Sequence, residues 1–211
     1  MVSQGIQIMG FSLALIGWFL VIIVCAMPMW SVTAFIGANI VTAQTIWEGM
    51  WMTCVVQSTG QMQCKVYDSM LALSQDLQAA RAMVVISILL GVIGTFLFVA
   101  GGKCTTCIAE ERSKAKACIA AGVLFIAAGL LCLIPVSWSA NTIVRNFYSP
   151  GVLNSQRREL GAALYIGWGA GVMLVLGGAL LCWNCPAKDE VPKYSPRYLP
   201  PQSRSSSREY V

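Results

Sequence analysis

The chain is 211 residues long, 57% hydrophobic and only 11% charged, with a formal net charge of +5. A soluble domain carries about 25% charge and about 45–50% apolar residues, so this balance points to a membrane protein and excludes disordered, collagenous and nucleic-acid-binding classes. There is no His at all, which removes His-based acid–base catalysis, Ser-His-Asp and Cys-His nucleophile pairs and His-ligated metal sites.

In chain order, residues 1–4 lead into a first apolar span, Gly5–Pro28. The first charged residue is Glu48, so 47 residues pass without a carboxylate, Lys or Arg. The span lacks the basic n-region and the small-x-small cleavage site of a signal peptide, and a retained helix is expected. Three more charge-free stretches follow, Ala82–Gly102, Ala117–Val136 and Gly161–Trp183. Each has the roughly 20 apolar residues needed to cross a hydrocarbon core. The expected fold is a membrane α-helical bundle of four transmembrane helices, with a small extracellular antiparallel β-sheet and one short extracellular helix.

The segment 29–81 supplies the sheet. Ser31–Ile36, Ile40–Trp47, Met50–Gln57 and Gln61–Tyr67 are rich in β-branched and aromatic residues and are separated by turn signals. Ser58-Thr59-Gly60 reads as a three-residue hairpin loop. That register sets Val56 opposite Met62, Val55 opposite Gln63 and Cys54 opposite Cys64. Alternation then collects Cys54, Val56, Met62, Cys64 and Val66 on an apolar face, and Thr53, Val55, Gln57, Gln61, Gln63 and Lys65 on a mostly polar one. Lys65 projects there with no acid at a neighbouring hairpin position. Asp68 is placed to cap a short helix over 68–80.

The loop 103–116, the loop 137–160 and the tail 184–211 complete the chain. Nine of the 14 Lys and Arg residues fall in 103–116 and the tail, which puts both termini and that loop in the cytosol. Cys54 and Cys64 then face the oxidising side, and a disulfide is inferred between them. Cys104, Cys107, Cys182 and Cys185 sit at cytosolic helix ends. Their two CxxC pairs admit palmitoylation, unmodified thiols or a four-thiolate zinc site, and the membrane-edge position favours acylation. No cofactor is implied. Glycines such as Gly91, Gly94, Gly122, Gly167 and Gly171 are expected to seat helices of the same bundle, with a dimer face as the alternative. Trp18, Trp30, Trp138, Trp168 and Trp183 are expected as interfacial anchors. The spans hold no Asp, Glu, Lys or Arg, which argues against a transporter or proton pump.

The sheet segment resembles the claudin family, whose signature is Trp, then Gly-Leu-Trp, two residues, Cys, and a second Cys eight to ten residues on. Here it reads Trp30, Gly49-Met50-Trp51, Cys54 and Cys64, followed by Arg81 at the second helix. Met50 replaces Leu, a near-isosteric change. The likeness runs on through Val55–Ser69, Val136-Ser137-Trp138 and a terminal Tyr210-Val211.

The resemblance implies a tight-junction strand protein that is not an enzyme. Such proteins polymerise with themselves and other claudins in cis, adhere in trans between cells, and control paracellular ion permeability. It implies pore-charge positions at Val55, Lys65 and Asp68, with Lys65 as a cation barrier or weakly anion-selective lining. It implies a polymerisation knob at Met70 seated against Phe147 and Tyr148 of an adjacent protomer. Tyr210 and Val211 resemble a PDZ-binding terminus that would engage junction scaffolds. The run Ser149-Pro150-Gly151-Val152-Leu153 departs from the toxin-receptor motif Asn-Pro-Leu-Val, which speaks against clostridial enterotoxin as a ligand. Arg157, Arg158 and Glu159 match a basic run, with Asp68 or Asp76 as expected partners. The alternative reading is a non-junctional four-span accessory protein of the channel-auxiliary or peripheral-myelin-protein kind. Tetraspanin and connexin readings fail, because the 137–160 loop holds no cysteine.

Overall fold

The computed structural model describes residues 4–33, 45–57, 60–69, 75–101, 111–151 and 157–184. Four helices, α1 (Gln4–Ala26), α2 (Gln75–Gly101), α3 (Glu111–Tyr148) and α4 (Ala162–Asn184), each contain a stretch long and apolar enough to span a membrane. Five strands, β1 (Ser31–Thr33), β2 (Thr45–Glu48), β3 (Met52–Val56), β4 (Met62–Val66) and β5 (Arg158–Leu160), form one antiparallel sheet in the order β4-β3-β2-β1-β5.

The bundle is held by small residues where backbones meet. α4 packs along both α1 and α3, and α3 along α2, while α1 and α2 touch less. A Cβ on Gly177 would stand 2.7 Å from the Gly10 carbonyl, and one on Gly178 would stand 2.5 Å from the Gly122 carbonyl. Only glycine permits those two approaches. Gly91, Gly94, Gly122, Gly167 and Gly171 all lie against neighbouring helices of the same chain. Ser87 donates to the Ala128 carbonyl across α2 and α3, at 2.7 Å. Phe19, Ile93 and Phe96 project from the bundle surface, as side chains meeting lipid should.

Three expectations are corrected. Of the short helix expected over 68–80, residues 70–74 lie outside the described residues, and 75–80 are not a separate element but the first turn and a half of α2, which runs unbroken into the membrane span. Asp68 itself lies outside any helix. The third helix does not stop at Val136 but passes through Pro135 and continues to Tyr148. Its 38 residues span about 57 Å, so it stands well clear of a hydrocarbon core of about 30 Å. The overhang has partners. Ser137 Oγ accepts from Trp168 Nε1 at 3.1 Å, and Thr142 Oγ1 donates to Asp76 Oδ2 at 3.2 Å. These bonds, with the burial of Ser139 and Ala140, outweigh the proline's local tendency to end a helix.

The tryptophans also divide differently. Trp30 is fully buried and donates to the Val24 carbonyl at 3.0 Å. Trp18 lies between α1 and α2, where it donates to the Ile88 carbonyl at 3.1 Å and covers Gly91. Trp138 and Trp183 remain exposed, as anchors would be.

Candidate functional site

The sheet is the candidate site, and a knot of signature residues fixes it to the bundle. Trp30 carries the chain from α1 into β1. Its N–H donates to the Glu48 carbonyl at 2.9 Å, and its carbonyl accepts from Gly161 at 3.0 Å. Three chain segments therefore meet at one residue. Gly49 lies so close to the turn after α1 that a Cβ would fall 2.4 Å from Pro28 Cα. Met50 beside it is fully buried in the core.

Arg81, on the second turn of α2, is 9% exposed. Its Nη2 donates to the Met50 carbonyl, and its guanidinium stacks 4.4 Å from the centroid of the Trp51 ring. A buried cation needs hydrogen bonds and charge compensation; here the Met50 carbonyl and the Trp51 π face supply them in part, and Nε is buried without a hydrogen-bond partner. Tyr67 adds a second tie. Its hydroxyl accepts from Thr53 Oγ1 at 2.9 Å and donates to the Gly49 carbonyl at 3.1 Å. Nothing in the sequence singles out Tyr67 for this role.

Beyond the knot, β3 and β4 form the hairpin at the sheet edge opposite β5. Gly60 takes a positive φ of 78° and its N–H donates to the Gln57 carbonyl at 2.9 Å. Cys54 faces Cys64, Val55 faces Gln63 and Thr53 faces Lys65. The Cys54–Cys64 disulfide is formed. The apolar face of β4 is not covered, however, because β4 is the outer edge of the sheet. Met62 is 46% exposed and Val66 62%.

Lys65 has an acidic neighbour that the hairpin pattern did not provide. Its Nζ stands 2.7 Å from Asp68 Oδ2, with both side chains 79% exposed. The hydrogen bond to Asp68, and then its charge, raise the Lys65 pKa above the ordinary lysine range. The opposite end of the sheet is also charged. Arg158 of β5 pairs with Glu48 of β2 across β1, where Ser31 Oγ donates to Glu48 Oε2 at 3.3 Å and accepts from Arg158 Nη1 at 3.4 Å. Partial burial lowers the Arg158 pKa. The expected pairing of the 157–159 run with Asp68 or Asp76 is thus replaced. Asp68 is taken by Lys65, Asp76 by Thr142 and Arg158 by Glu48. Arg157 instead lies over the Phe147 ring, 5.6 Å from its centroid.

The profile described as the PMP-22/EMP/MP20/Claudin family matches residues 4–181. Claudin-4 of Bos taurus is 61% identical over 207 residues, covering 98% of this chain and 99% of that one. Claudin-like protein ZF-A89 of Danio rerio is 62% identical over 203 residues, covering 96% and 97%. Claudin-3 of Mus musculus is 60% identical over 194 residues, covering 92% and 87%. The chain belongs to the claudin family.

As a claudin it is a multi-pass membrane protein of tight junctions with a structural role rather than an enzymatic one. Among the described residues, no group of three or more acidic or Cys side chains is placed to hold a metal. Of the membrane-edge cysteines, Cys182 turns its Sγ onto α3, 3.8 Å from the Ile119 carbonyl. Cys104, Cys107 and Cys185 lie outside the described residues, as do Met70, Tyr210 and Val211. Phe147 and Tyr148 close α3, with their rings edge to face at 5.4 Å and Tyr148 exposed.

Proposed function

We propose that this claudin builds tight-junction strands, side by side in one membrane and head to head between cells, and that the polar face of its β3–β4 hairpin lines the paracellular path. Both termini lie in the cytosol, so the sheet lies outside the cell. The observation that carries the reading is the Lys65 ammonium, exposed at the end of the outermost strand of a sheet pinned to the bundle by Arg81 and Trp30. A fixed positive charge in a narrow aqueous path disfavours cations, with a screening length of about 8 Å at physiological salt. The path is a cation barrier or a weakly anion-selective pore, with Val55 and Asp68 beside Lys65.

Association in cis uses Met70 as an apolar knob and the exposed end of α3, Phe147 and Tyr148, as its socket. One thioether in an aromatic site is a weak contact, and its strength comes from repetition along a strand. Tyr210 and Val211 recruit PDZ scaffolds by adding a strand to their sheet edge. Cys104, Cys107, Cys182 and Cys185 carry acyl chains.

Expression in epithelial monolayers that lack endogenous claudins tests the reading. Continuous freeze-fracture strands and a raised transepithelial resistance are expected. Surface protein that forms no strands and leaves the resistance unaltered would favour the accessory role instead.

A further inference from the structure

We infer that Asp68 is a selectivity-determining residue that works through Lys65, holding a compensating negative charge against the ammonium so that the lining acts on passing ions nearly as a dipole. This rests on the reading of the hairpin as pore lining. Two features place the carboxylate there. Lys65 Nζ and Asp68 Oδ2 are 2.7 Å apart. The intervening Tyr67 is anchored three times, by its N–H to the Trp51 carbonyl at 3.4 Å and by its hydroxyl to Thr53 and the Gly49 carbonyl.

The anchoring matters more than the contact. Both side chains are 79% exposed, and an ion pair in water is weak enough to open and close freely. Tyr67 nevertheless keeps the backbone at Asp68 beside the end of β4, so the carboxylate stays within a few ångströms when the contact is broken. The hairpin neighbours of Lys65 are the uncharged Thr53, Gln63 and Val55. The local sum is therefore close to zero. The potential of such a pair falls with distance faster than that of a lone ammonium, and salt with a screening length of about 8 Å shortens it further. Lys65 alone overstates how strongly this claudin excludes cations.

The test is a set of dilution potentials in claudin-deficient monolayers expressing the full chain. Asp68→Asn is expected to lower the sodium-to-chloride permeability ratio by about twofold. Lys65→Gln is expected to raise it, and the combined variant should fall between the two. An Asp68→Asn ratio equal to or above that of the unaltered chain would overturn the inference, as would a combined variant indistinguishable from Lys65→Gln.

A second measurement needs no junction. In purified protein at mildly alkaline pH, an amine-acylating ester should modify Lys65 about twofold or more faster in Asp68→Asn. Equal rates would show that the carboxylate does not act on the ammonium. If the unaltered chain formed no strands and carried no selective conductance, the paracellular reading would fall and the selectivity role with it. The acylation rates would still report on the pair.

Discussion

Arg81 and Trp51 lie on different elements, the start of the second span and the mouth of the hairpin, yet the guanidinium sits 4.4 Å from the indole centroid while donating to the Met50 carbonyl. The family signature is thus a mechanical joint. It joins the sheet to the helical bundle through a buried cation held by the Met50 carbonyl and the Trp51 ring.

Replacing Arg81 should loosen that joint. Arg81→Lys keeps the charge but loses the planar stack and the fork geometry. The expected cost is about 2 kcal/mol, from a charged hydrogen bond and a cation–π contact. Thermal unfolding in detergent measures it, and an unchanged midpoint would contradict the joint.

Gly49 should tolerate no side chain. A Cβ there would meet Pro28 Cα at 2.4 Å, backbone against backbone, so relief requires moving the whole strand. Gly49→Ala is expected to reduce surface expression sharply, whereas Gly151→Ala, with open space around it, should leave it near the parent level.

The Glu48–Arg158 pair ties the two loops through Ser31. Both side chains are partly exposed, so screening limits the pair to about 1 kcal/mol. A double-mutant cycle with Glu48→Gln and Arg158→Met should give a coupling of that size, smaller at high salt. A coupling near zero would mean that the pair is incidental.

Lys65 should titrate late. Asp68 raises its pKa, by a hydrogen bond first and by charge second. A raised folded-state pKa means that the pair's contribution is fully present below the ordinary lysine range and is lost as pH climbs through the raised value. The Lys65 Cε shift in labelled protein should therefore move at a higher pH than in Asp68→Asn. Identical titrations would contradict the pairing.

Much of this was legible in the residues. Nine intervening residues and a glycine third in the loop set Cys54 opposite Cys64, because hairpin register is a local property. The four spans announced themselves by length and lack of charge. Other features depend on partners far along the chain. β5 is three residues long, and it is a strand only because β1 offers an edge beside it. The continuation of α3 past Pro135 rests on Asp76 and Trp168, which lie 66 and 31 residues from their partners. Trp18 packs between α1 and α2 rather than at the interface; core and lipid are equally apolar, so a spanning helix carries no polarity pattern that tells its faces apart. Local preference alone makes Asp68 a helix cap; the ammonium three residues back claims its carboxylate instead.

The most direct measurement is the sodium-to-chloride permeability ratio of Lys65→Asp in claudin-deficient monolayers, with strands counted in the same cells. Lys65→Asp sets two carboxylates at the end of β4 in place of a balanced pair. The ratio should rise by about fivefold while strand density is maintained. An unaltered ratio across intact strands would show that the hairpin does not line the path.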